Sequence, residues 1–131
     1  MLGFYMASMR ILIVDDDPVL LEVLREAIEW RLRPSRVDGT TSSADALARL
    51  TVDPYDVVLC DWRMPSPNGL SFLDEIKTVC PGVPVVLMTG DIRESVRSQA
   101  AEKGARAFLR KPFDRDEVVR VIRDVVPRST P

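Results

Sequence analysis

The stretch that most constrains this chain is Arg10-Ile11-Leu12-Ile13-Val14-Asp15-Asp16-Asp17-Pro18. Four consecutive apolar residues run directly into three carboxylates and a proline. An apolar run of this kind reads as a strand buried on both faces, the signature of a central parallel strand. A buried strand that ends in acids must release them where water, a cation or a ligand can meet them. The rest of the chain is read for partners to that acidic edge.

The pattern repeats. Asp56-Val57-Val58-Leu59-Cys60-Asp61 is a second apolar run ending in a carboxylate, and Val83 to Met88 is a third, ending in Thr89-Gly90-Asp91. Two weaker strands are expected, around Arg36 to Asp38 and at Ala107-Phe108-Leu109, the latter followed by Arg110-Lys111-Pro112-Phe113. Helices fill the gaps. Asp17 and Pro18 supply a capping acid and a proline at the first helical position, and Leu20, Leu24, Ala27 and Ile28 recur at helical spacing through Trp30. Ser42 to Leu50 forms a second helix, with Ser42 and Asp45 at capping-box spacing. Leu70 to Val79 forms a third, with Leu70, Phe72, Leu73, Ile76 and Val79 on its apolar side. Ile92 to Lys103 forms a fourth with a thin apolar face, closed by Gly104 in a left-handed conformation. Asp114 caps a fifth that runs to about Val126.

Strands alternate with helices five times, which predicts an α/β fold with a parallel sheet and helices on both faces. In such sheets the functional crevice lies at the carboxyl ends of the strands. The strand-terminal residues are Asp15, Asp16, Asp17, Asp61, Thr89 and Lys111. They are expected to meet at one edge.

Composition narrows the chemistry. The 131 residues carry a net charge of -2 and contain no histidine. Histidine acid/base catalysis, histidine metal ligation and a phosphohistidine on this chain are therefore excluded. The near-neutral, mixed charge gives no pull toward nucleic acid or an anionic membrane, and no apolar run is long enough to span a bilayer. The two cysteines, Cys60 and Cys80, read as core-filling free thiols and suit a reducing cytoplasm. Residues 1–8 lack the features of a secretory signal and are read as an extension ahead of Met9. Residues 127–131 are read as a polar tail or the start of a linker.

Crowded carboxylates repel one another unless a cation joins them. An oxygen-only donor set favours a hard ion, and Mg²⁺ is the natural candidate. Lys111 adds a positive point charge and Thr89 a small hydroxyl donor. Together these groups suit phosphoryl transfer to an aspartate.

Ile11 to Pro18, Asp61-x-x-Met64-Pro65 with Gly69, Met88-Thr89-Gly90 and Lys111-Pro112-Phe113, taken in order, resemble the receiver domain of two-component response regulators. The resemblance runs from Met9 to about Val126. It implies a flavodoxin-like doubly wound five-stranded parallel sheet in the order 2-1-3-4-5. It implies Asp61 as phosphoacceptor, with a sensor histidine kinase or a histidine phosphotransfer protein as donor. Asp16 would bind Mg²⁺ directly and Asp15 mainly through water, with Asp61 and the backbone carbonyl of Arg63 as further ligands. Thr89 and Lys111 would hold the phosphoryl oxygens, Phe108 would be the switch aromatic, and the Lys111–Pro112 bond would be cis. The switched surface would be the fourth helix, fifth strand and fifth helix, and a homodimer through that surface is an expectation. The valine-rich stripe of the fifth helix, Val118, Val119, Val121, Ile122, Val125 and Val126, reads as wider than one core face needs. Arg63 and Asp91 are expected to pair across the crevice.

The chain departs from the family pattern at Ser42-Ser43, where a glycine is usual, at Asn68, and at Phe108, which cannot hydrogen-bond through its tip. Two other readings remain. Asp15-x-Asp17-x-Val19 also fits the nucleophile motif of haloacid-dehalogenase-type phosphatases, with Asp15 attacking and Asp17 as acid/base. A degenerate receiver acting as a binding module without phosphorylation is the third.

Overall fold

The computed structural model describes residues 8–63, 69–90 and 93–126, with only the backbone at 69 and 70. Five strands and five helices alternate: β1 (Met9–Val14), α1 (Pro18–Arg31), β2 (Ser35–Thr40), α2 (Ser43–Val52), β3 (Val57–Asp61), α3 (Gly69–Val79), β4 (Val85–Thr89), α4 (Glu94–Glu102), β5 (Ala105–Arg110) and α5 (Arg115–Val125). All neighbouring strands pair in parallel, in the order β2-β1-β3-β4-β5. The α/β class and the strand order are those the sequence implied.

The continuous apolar runs are explained by two cores. Alternate side chains of one strand point to opposite faces, so a strand covered on both sides needs apolar residues at every position. Ile11, Ile13, Leu59 and Met88 pack under α1 and α5, against Leu24, Ile28, Val118 and Ile122. Leu12, Val14, Cys60 and Leu87 pack on the other face, against Ala46, Phe72, Ile76 and Ala100 of α2, α3 and α4. Cys60 is buried and Cys80 half-buried, both as free thiols.

The edge strands are longer than their apolar content suggested. β2 pairs with β1 from Met9↔Ser35 to Val14↔Thr40 although only Val37 and Thr40 are buried in it. Backbone pairing, rather than side-chain burial, sets that length. Glu29 on α1 reaches the strand and accepts from the Val37 backbone N–H at 2.8 Å, which gives one edge amide a partner. β5 likewise runs six residues with one fully buried side chain, Leu109.

The helix ends follow local chemistry. The Asp17 carboxylate accepts from the Val19 and Leu20 amides, and the Ser42 hydroxyl accepts from the Asp45 amide. The reciprocal half of the expected capping box is replaced: the Ser42 amide donates to Thr40 Oγ1 at 3.1 Å, while Asp45 pairs with Arg49 at 2.9 Å. Gly104 follows α4 at φ 99°, and a Cβ there would meet Lys77 Cε at 3.0 Å, so shape and space both select glycine. In α3, Phe72, Leu73 and Ile76 are buried but Val79, expected on the apolar side, is 40% exposed, because the helix ends there. Leu70, expected with them, has its side chain outside the described residues. The α5 stripe is absorbed by the fold: Val118, Val119, Ile122 and Val125 are buried, and Val121 and Val126 pack half-buried against the same core. Val121 and Val126 remain partly exposed at its margin.

β1, β2 and the α2–β3 connection are tied by a charged cluster. Asp38 Oδ2 accepts from Arg10 Nη2 at 3.2 Å and from the Tyr55 hydroxyl at 2.6 Å, and Arg10 lies over the Tyr55 ring at 5.0 Å. Burial raises the Asp38 carboxyl, but the Tyr55 and Arg10 hydrogen bonds and the charges of Arg36 and Arg10 outweigh it and leave it below the usual aspartate value. A lowered carboxyl contributes stability that is present above the unfolded value, about 3.9, and is lost as pH falls through the folded one. Asp38→Asn is therefore expected to cost about 1–2 kcal/mol at pH 7. The gap to wild type should shrink as urea titrations are taken below about pH 4, where the unfolded aspartate is protonated. A pH-independent gap would contradict the assignment.

Candidate functional site

The site is built where β1, β3, β4 and β5 end. The Asp15 amide extends the sheet by donating to the Thr40 carbonyl at 3.1 Å, and this turns the first acid inward. Asp15 is 0% exposed. Its Oδ1 accepts from the Asp17 amide at 2.9 Å and its Oδ2 from Lys111 Nζ at 2.7 Å. Asp16, the next residue, is exposed, and Asp17 caps α1. Asp61 ends β3 and is 5% exposed; its Oδ1 accepts from the Arg63 amide at 3.3 Å and lies 3.5 Å from Lys111 Nζ. Thr89 ends β4, nearly buried, and its carbonyl accepts from the Lys111 amide at 2.8 Å, which delivers Lys111 to the edge. The Trp62 amide donates to the Met88 carbonyl at 2.9 Å and fastens the start of the loop after Asp61. The Lys111–Pro112 bond is cis, as is Arg33–Pro34.

The strand-terminal residues expected together are thus together, with one exception: Asp17 is engaged as a helix cap. That arrangement disfavours the phosphatase reading, which needs Asp17 as a free acid/base. Arg63 is exposed beside Asp61. Asp91, its expected partner across the crevice, lies outside the described residues, as do Met64, Pro65 and Asn68. Phe108 is half-buried on β5, and the Arg97 guanidinium of α4 lies 5.4 Å from its ring centroid. Sequence reading did not single out Arg97, because nothing local marks a contact between separate elements.

Carboxylate oxygens of Asp15, Asp16 and Asp61 all lie within 4.8 Å of one another. Burial pushes the Asp61 carboxyl above its ordinary value and the neighbouring Asp15 charge adds to this, while the Arg63 amide and Lys111 oppose it. Burial pulls the Lys111 ammonium down, but the bonds and charges of Asp15 and Asp61 outweigh that and hold it above its ordinary value. Burial pushes the Cys60 thiol far up, so it is no nucleophile. One lysine facing two buried carboxylates and an exposed third leaves negative charge uncompensated. Three hard oxygen donors around a partly open space fit a small divalent cation that keeps some of its waters. A cleft of about 370 Å³ opens beside this edge, lined by Asp17, Leu20, Lys111, Pro112 and Phe113.

Crowding predicts a stability effect. Asp61→Asn removes one of the mutually repelling charges and is expected to raise the melting temperature in EDTA by about 2–5 °C, checked by calorimetry. A fall would show that the carboxylate is better compensated than this geometry allows.

Comparisons with known proteins bear on the family and the fold. The profile of the response regulator receiver domain matches residues 11–123. The chain is 35% identical over 124 residues to the transcriptional regulatory protein GlrR of Escherichia coli K12, covering 93% of this chain and 27% of that protein. It thus spans about a quarter of the length of that curated relative. The receiver domain of the sensor histidine kinase PA1611 from Pseudomonas aeruginosa PAO1, solved with a magnesium ion in its active-site cleft, superposes with a TM-score of 0.76 at 27% identity, over 91% of this chain and 98% of that one. The beryllofluoride-activated NtrC4 receiver domain dimer superposes with a TM-score of 0.82 at 27% identity, over 89% of this chain and 95% of that one. Among the described residues no helix is long and apolar enough to cross a membrane. On the match over residues 11–123 and the identity over most of its length, the chain belongs to the response regulator receiver domains of two-component signalling.

Proposed function

We propose that this chain takes a phosphoryl group onto Asp61 in a Mg²⁺-dependent reaction, from a phosphohistidine on a sensor kinase or phosphotransfer protein, and acts as a regulatory switch in the cytoplasm. The observation that carries this reading is the gathering of Asp15, Asp16, Asp61 and Lys111 at one strand edge. Asp61 Oδ attacks phosphorus in line while the bond from phosphorus to the donor imidazole nitrogen breaks and its electron pair stays with the imidazole. Asp61 is held for this by the Arg63 amide at 3.3 Å. Lys111 Nζ, between Asp15 and Asp61, is placed to follow the new charge onto a phosphoryl oxygen. Thr89 adds a hydroxyl donor from the adjacent strand end. Exposed Asp16, with Asp15, Asp61 and the Arg63 carbonyl, would hold the cation. When bound, the cation offsets charge on the phosphoryl oxygens.

The output is a changed surface over α4, β5 and α5. Added charge at Asp61 biases a two-state equilibrium rather than building a new fold. α4 is the more weakly anchored of the two helices, with two buried residues, Val96 and Ala100, where α5 has four. A homodimer through this surface, or a partner on it, is the readout.

The test is incubation with acetyl phosphate and Mg²⁺, followed by borohydride trapping and mass spectrometry. The label is expected on Asp61 and absent from Asp61→Asn. Label on Asp15 would favour the phosphatase reading, and no label the binding module. Lys111→Ala is expected to slow labelling by about 100-fold or more, as loss of a charge-stabilising donor does. EDTA is expected to abolish labelling of wild type, and excess Mg²⁺ to restore it.

A further inference from the structure

Phe108 sits on β5 opposite Leu87, and Thr89 lies two residues further along β4. Residues two apart on a strand share a face, so Phe108 and Thr89 address the same side of the sheet, the side that α4 covers. A phenylalanine ring has no hydroxyl with which to be held. Its polar handle is the negative face of its π system, and a cation is what grips that face. Arg97 supplies one: its guanidinium carbon lies 5.4 Å from the Phe108 centroid.

Of the nine residues of α4, Val96 and Ala100 are buried. At its far end Lys103 pairs with Asp74 of α3 at 2.8 Å, 39% and 55% exposed respectively. The Arg97–Phe108 stack thus joins the first half of α4 to β5. Resting on the switch reading above, we infer that Arg97 is a positioning residue for Phe108. The stack keeps the ring half-exposed and α4 seated on β5 in the unphosphorylated chain, and it opens when the ring turns toward Thr89. The cation thereby sets how far the switch leans before any phosphoryl group arrives.

The full chain carrying Trp30→Phe leaves Trp62, adjacent to Asp61, as sole tryptophan reporter. Beryllofluoride is titrated at fixed Mg²⁺ and followed by Trp62 emission. Arg97→Ala is expected to lower the midpoint about two- to five-fold, the factor a half-exposed cation–π contact carries. Arg97→Lys, which keeps the cation, is expected to return the midpoint toward the parent value. In a Phe108→Leu background, Arg97→Ala is expected to leave the midpoint unchanged, an outcome that a merely structural role for Arg97 does not produce. A parent chain that responds while Arg97→Ala titrates identically, or shifts equally without the ring, overturns the positioning role alone. A parent chain with no response overturns the receiver reading, and this inference with it.

Discussion

The structure depends on a charge imbalance at one edge of a sheet. Asp15 is fully buried, Asp61 nearly so, and Asp16 stands beside them. One ammonium, Lys111, is shared between the first two at 2.7 and 3.5 Å. Desolvated like charges at this separation are costly, and a buried pair is strongly destabilised when its partner is removed. The edge is therefore poised to take up positive charge, and a hard divalent cation is what its oxygen donors suit. Lys111 binds the more deeply buried carboxylate more closely. That leaves Asp61 the less compensated of the two.

The two-sided core makes such an edge tolerable. Apolar side chains on both faces of β1, β3 and β4 fix the strands in register, so their ends arrive together. The backbone then does the positioning. The Asp15, Trp62 and Lys111 amides each bond a carbonyl of the neighbouring strand, Thr40, Met88 and Thr89 respectively. Three of the junctions at the edge are thus held by main-chain bonds that substitution of the site side chains would leave intact. A rigid edge next to a loosely held α4 gives a local charge change somewhere to act.

Much of this was readable in residue order, and the failures have physical causes. The three central strands declared themselves because burial on both faces leaves no polar position. β2 and β5 were read too short because edge strands are held by backbone pairing that side-chain pattern does not report. Val79 was placed in the core from helical spacing, but helix termination left it outside. The α5 valines form a wide apolar stripe, and periodicity does not report how much of it a neighbouring sheet will cover: four of its six residues are buried, and Val121 and Val126 are partly so. Asp17 was recognised as a cap because capping is local.

The sequence by itself determined the parallel α/β plan, the acids at the strand ends, and the presence of Thr89 and Lys111 at the same edge. Each of these follows from short-range pattern, and alternation of elements carries the pattern to the topology. Only tertiary structure decided that Lys111 favours Asp15 over Asp61, that Arg10, Asp38 and Tyr55 form one cluster, and that Arg97 lies over Phe108. Those are contacts between side chains distant in the chain or on separate elements. Their distances depend on how whole helices settle against the sheet, which no local spacing encodes.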